Sequence, residues 1–146
     1  MIRSIFAVIG GFVVVMAVVY AGTLVATELL HPGGLAVAVN QPPEAAPPTY
    51  YAFLIVISMM GAVLGGWVTS RMAPDREMMH VFGFAALVSL VTLSSVLGYG
   101  ESAHLQPVWY KWLFPLAVVG GALFGGRMRA KVVARKFPEE SGRNTR

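Results

Sequence analysis

From Ser4 to Thr27 the chain runs for 24 residues without a charge, rich in Val, Ile and Phe, and three more blocks of this kind follow. About 20 apolar residues, each rising 1.5 Å along a helix, cross a ~30 Å hydrocarbon core, so the first block suffices with some tilt. The second block is Ala45–Ser70, apolar from near Tyr50, and the third is Met78–Gly100. The fourth runs from about Val108 to Gly126 and carries Lys111 in its first turn. That ammonium can snorkel outward on its long stem, at a depth marked as interfacial by Trp109, Tyr110 and Trp112. The expected fold is an all-α integral membrane domain over residues 1–126, with spans at about 4–27, 50–70, 79–99 and 108–126.

Composition closes off the alternatives. Charged residues make up 12% of the 146, against about 25% in a soluble domain. With 56% hydrophobic residues there is too little polar material to coat a water-exposed surface. This excludes a soluble enzyme, a disordered chain and a nucleic-acid-binding domain built on a basic face. Cysteine is absent, which excludes disulfides, a thiolate nucleophile and thiolate metal ligation. The first block far exceeds the 7–15 apolar residues of a signal peptide and ends without a small-x-small site, so an uncleaved helix is expected.

Lys and Arg set the orientation. Arg3 precedes the first span, Arg71 and Arg76 lie between the second and third, and seven basic residues follow the fourth. The opposite side holds Lys111 alone, so both termini are expected in the cytoplasm, with loops 31–49 and 100–107 outside.

The halves resemble each other. Gly61-Ala-Val-Leu-Gly-Gly66 matches Gly121-Ala-Leu-Phe-Gly-Gly126 at an offset of 60, and Pro47-x-x-Tyr50 matches Pro107-x-x-Tyr110 at the same offset. An offset of 73 pairs Arg3 with Arg76, Gly10 with Gly83, Glu28 with Glu101 and His31 with His104. Two duplicated helical hairpins, related by an axis along the membrane normal, are the expected architecture. Gly61, Gly65 and Gly66, with Gly121, Gly125 and Gly126, form small faces that let backbones approach in lipid. Their simplest use is to pack spans two and four together; the sharper use is a homo-oligomer or a partner subunit.

Each histidine follows a glutamate by three: Glu28/His31, Glu77/His80 and Glu101/His104. On a helix such residues share a face. A di-iron bundle also needs acids from the other two helices, and spans two and four have none. A smaller metal site remains open at Glu28, His31, Glu101 and His104, whose donors suit zinc, iron or manganese. A bis-histidine haem, cation passage and plain interfacial structure are the alternatives. Glu77/His80, at the other end of the spans, has no second pair to meet and favours the structural role. No phosphate loop, no Ser/His/Asp grouping and no mid-span acid is present, and nothing in the sequence demands a cofactor.

Residues 127–146 form a basic cytoplasmic tail with seven basic and two acidic residues. Ala130, Val133, Ala134 and Phe137 recur at helical spacing before Pro138 stops the helix. Arg127, Arg129, Lys131, Arg135 and Lys136 are placed to meet an anionic inner leaflet, at ~1 kcal/mol each.

Short motifs resemble a widespread group of small four-span bacterial inner-membrane proteins. They are the Met1-Ile-Arg-Ser start, Glu28 followed by His31-Pro32, Gly65-Gly66-Trp67-Val68 before Arg71, and His104-x-x-Pro107-x-Trp109. The group's second-half motif reads His-Pro-x-Trp, whereas Leu105 and Gln106 intervene here. The resemblance implies four helices in a bacterial inner membrane and brings no activity with it. The expected function is therefore a non-enzymatic accessory or scaffolding subunit whose partners are the bilayer and a membrane complex or second copy. A small oligomeric carrier or channel, and a metal or haem protein using the Glu/His pairs, are the alternatives; nucleic acid is not an expected partner.

Overall fold

A computed structural model describes residues 2–31, 33–35, 46–73, 77–97 and 105–136. It is all-helical, with α1 (Ile2–Leu30), α2 (Pro48–Met72), α3 (Glu77–Val96) and α4 (Val108–Lys136). Three stretches are long and apolar enough to cross a membrane: Ser4–Leu30 at mean hydropathy 2.5, Pro48–Met72 at 2.0 and Val108–Arg129 at 1.3. The fourth helix is apolar over the shorter stretch Met78–Ser94.

The helix boundaries have local causes. Two consecutive glycines with left-handed backbone, Gly33 (φ 81°) and Gly34 (φ 66°), turn the chain after α1, a conformation that costs other residues more. Both α2 and α4 begin on a proline carbonyl. Pro47 accepts the Tyr50 N–H at 3.0 Å, and Pro107 accepts those of Tyr110 and Lys111 at 3.1 and 3.2 Å. Pro48 at the first position of α2 loses no helical donor that would otherwise be used. That helix stops at Ala73, extended at ψ 127°, because Pro74 disfavours helical backbone in the residue before it. Pro115 lies inside α4 and leaves the Lys111 carbonyl without its usual donor.

Helix α2 is the central column. It packs along α1 on one side and α4 on the other, and it also touches α3. Helix α3 packs mainly on α4 and only lightly on α1, whereas α1 and α4 share at most a marginal contact. The core is small, built from Val15, Ala62, Phe84, Ala85, Val88, Val118 and Ala122, with Phe12, Val19, Phe114 and Leu123 against it. Apolar residues cover the outside as well. Ile5, Phe6, Ile9, Val13, Met16 and Tyr20 of α1 are all about half or more exposed, as are Leu113, Leu116 and Phe124 of α4. A helix apolar on every side is matched to hydrocarbon outside and protein inside.

Several hydroxyls bond to their own helix. Thr23 Oγ1 donates to the Val19 carbonyl at 2.8 Å, Thr92 Oγ1 to Val88 at 3.0 Å and Ser94 Oγ to Val91 at 2.6 Å. Such bonds satisfy the hydroxyl without opening a polar path.

Candidate functional site

Two regions carry the residues singled out from the sequence: a small-residue seam along α2 and an aromatic and polar cluster where α1 ends and α2 and α4 begin.

Along the seam, the two Gly-x-x-x-Gly motifs do not face each other. Gly61 and Gly65 turn toward α1: a Cβ on Gly61 would lie 3.3 Å from Val18, and one on Gly65 2.5 Å from Val15 and 2.8 Å from the Gly11 carbonyl. Gly66, one residue and 100° further round, turns toward α4, where a Cβ would strike the Ala122 carbonyl. Gly121 and Gly125 lie against the α2 backbone at Met59 and Val63, and Gly126 lies under Val81 of α3. Helices α2 and α4 run parallel here, with Ala62 beside Gly121 and Val63 beside Gly125. Only glycine permits backbones this close, and dispersion over the flat contact replaces the hydrophobic drive that lipid does not supply.

At the other region, Tyr50 and Tyr51 stack edge-on with ring centres 5.6 Å apart, and Tyr51 meets Tyr110 at 5.0 Å. Tyr110 continues to Phe114 at 5.2 Å, and Trp109 closes on Tyr51 at 6.5 Å. Tyr50–Tyr51 and Tyr51–Trp109 are edge-to-face and the other two pairs are tilted; aromatic pairs at these separations are each worth ~0.5–1.5 kcal/mol beyond the area they bury. The hydroxyls point to the helix ends: Tyr50 shares a 3.2 Å hydrogen bond with Thr27 Oγ1, and Tyr51 donates a long 3.5 Å bond to the Leu105 carbonyl. His31 sits edge-on to Tyr50 at 6.3 Å.

Glu28 is exposed, and its carboxylate is engaged locally: Oε2 accepts the Leu35 N–H at 3.0 Å, across the turn made by Gly33 and Gly34. A Cβ on Gly34 would approach that same oxygen at 3.2 Å. The acid thus ties down the first residues after α1. Of the four proposed metal-site residues, Glu28 and His31 lie one turn apart at the end of α1, while Glu101 and His104 fall outside the described residues. Among the described residues no three of His, Cys, Asp and Glu come together. Sequence reading missed this tie, and the Gly33-Gly34 doublet following Glu28 was the signal for it.

At the opposite end α4 continues as helix through Arg127, Arg129, Lys131, Arg135 and Lys136. Arg127 is exposed, and Arg129 is half-buried, with a buried Nε that has no hydrogen-bond partner. On α2, the Arg71 guanidinium lies over the Trp67 ring at 5.3 Å, which fixes a cation beside an amphipathic ring.

Compared with protein-family models, with curated proteins and with solved structures, the chain matches none.

Proposed function

We propose that this chain is a non-enzymatic scaffold of the bacterial inner membrane, an accessory subunit with both termini in the cytoplasm. The observation that carries the reading is the interior. Among the described residues, the buried polar side chains are the hydroxyls of Thr27, Ser58, Thr69, Ser70 and Thr92, set among Gly, Ala, Val and Phe. A bundle closed by backbone contact supplies a stiff, dry framework and leaves its outer apolar faces for lipid and partner helices.

The proposed orientation follows from charge. One end of the bundle holds ten of the Lys and Arg against four acids, and the other holds Lys111 against three acids. The proposed duplication is supported by the matched starts of α2 and α4 on the Pro47 and Pro107 carbonyls. The small faces do not repeat their roles, since Gly65 serves α1 while Gly125 serves α2. After duplication, then, the halves diverged in which neighbour each face meets.

Two experiments test this. In the Cys-free chain, an impermeant reagent applied to intact cells is expected to label a cysteine placed at Asn40 and not one placed at Ser141; the reverse overturns the orientation. Purification in mild detergent with mass and metal analysis is expected to bring down a stoichiometric membrane partner. A homo-oligomer giving flux in liposomes would replace the scaffold with a carrier. Stoichiometric metal, or the absorption band of haem, would move the function to the Glu28 end.

A further inference from the structure

We infer that Arg129 holds the phosphate of one anionic phospholipid, at the end of the bundle where α2 and α4 finish their apolar stretches. The inference rests on the membrane reading above and gives one basic residue of α4 a role that its exposed neighbour Arg127 does not share.

The residue's place in α4 sets it apart. Val118 and Ala122 belong to the core, and Gly125 and Gly126 lie buried against α2 and α3. Arg129 comes seven residues after Ala122 and four after Gly125, so it continues the face that α4 turns into the bundle. Arg127 and Met128 are exposed, while Arg129 is half-buried. Opposite it on α2, Ser70 lies one turn beyond Gly66 on the face toward α4 and is fully buried. The Arg129 Nε is itself buried and has no hydrogen-bond partner. A guanidinium keeps its charge throughout the physiological range, so burial cannot neutralise it and an anion has to.

Depth and geometry choose the anion. The apolar stretch of α4 ends at Arg129, and that of α2 ends at Met72, one residue past Arg71. Lipid phosphates lie at that level, where Trp67 and the Arg71 guanidinium resting on it mark the interface. Among the described side chains the only acid is Glu28, at the opposite end of the bundle, whereas Arg71, Arg127 and Arg129 all stand here. A phosphate offers two oxygens to the two parallel N–H groups of a guanidinium edge. Exposed Arg71 and Arg127 can trade one headgroup for the next. Arg129, half-buried on the inward face, has less torsional freedom to lose when it binds one.

The test uses the full chain in mild detergent and two variants that remove the same charge two residues apart, Arg129→Gln and Arg127→Gln. Lipid retained through purification is counted by native mass spectrometry. Thermal shifts are measured on adding phosphatidylglycerol, phosphatidylcholine or inorganic phosphate. Arg127→Gln is expected to retain phosphatidylglycerol no more than about fivefold less well than the parent. Arg129→Gln is expected to lose at least about tenfold, the worth of hydrogen bonds to a charged group, and with it the shift. Without lipid it should be at least as stable as the parent, because it removes a half-buried cation that has no partner. Equal losses at the two positions would leave only diffuse attraction and overturn the proposal. So would equal retention of phosphatidylcholine, or a matching shift from inorganic phosphate alone. The remaining rival is an acid within the chain. Glu77 begins α3, one turn before the Val81 that covers Gly126. A loss of lipid-free stability in Arg129→Gln that Glu77→Gln reproduces would make the guanidinium's partner internal, and the proposal falls. Release of the chain from membranes by alkaline carbonate would instead sink the underlying membrane reading.

Discussion

The two sides of α1 are built in opposite ways. Toward α2 it meets glycine after glycine, with Gly11 against Thr69 and Gly65, and Gly22 against Ile57. Toward α3 it presents Ile5 and Ile9 to an open groove. Hydrophobicity does not distinguish the two, since both sides are apolar. What differs is whether a missing side chain is matched by a backbone. In lipid, where burying Leu gains little over leaving it in acyl chains, that match decides which helices bind.

The comparison breaks most easily at the tightest glycines. Gly66→Ala and Gly125→Ala each drive a methyl into a carbonyl of the neighbouring helix, Ala122 and Val63 respectively. Each is expected to cost about 3 kcal/mol, at the top of the range for overpacking, read as lost thermal stability in detergent. A smaller effect separates the two members of one motif. Gly65→Ala, facing Val15 at 2.5 Å and Phe84 at 2.9 Å, is expected to cost about 2 kcal/mol, while Gly61→Ala, 3.3 Å from Val18, stays within about 0.5 kcal/mol of the parent. Unfolding by denaturant in mixed micelles would resolve them, and equal losses would mean the motif acts as a unit. At the aromatic end, Thr27→Val removes the bond to Tyr50 and is expected to cost about 1 kcal/mol. The sign reverses at the open glycines. Gly83→Ala and Gly120→Ala should each stabilise by about 0.5–1 kcal/mol, because alanine gains helix propensity where nothing obstructs it. Destabilisation at Gly83 would show that its side of α3 is already occupied by a protein neighbour.

Much of this was legible in the residues. Uncharged runs of the right length marked the helices, and glycine spacing marked where backbones come close. The partner of each face was not legible, because a Gly-x-x-x-Gly spacing fixes an azimuth on one helix and carries no information about which helix lies there. The doublet Gly65-Gly66 held a hint: residues 100° apart cannot serve one neighbour, and they serve α1 and α4. Glu28 shows the opposite limit. Its spacing to His31 suggested a ligand pair, yet its carboxylate reaches forward to the Leu35 N–H, a contact set by the fold of the following turn rather than by helix periodicity.

The central position of α2 also orders events in time. As the chain emerges, α1 and α2 can pair as soon as both are inserted, for their seam is complete between them. Helix α3 comes next and finds little to hold, touching α1 lightly and α2 modestly. Its main support is α4, which is made last. Until then α3, apolar over the shorter stretch Met78–Ser94, is without its principal partner. A nascent chain ending before Val108 is thus a helical hairpin followed by a third helix that still lacks its main support.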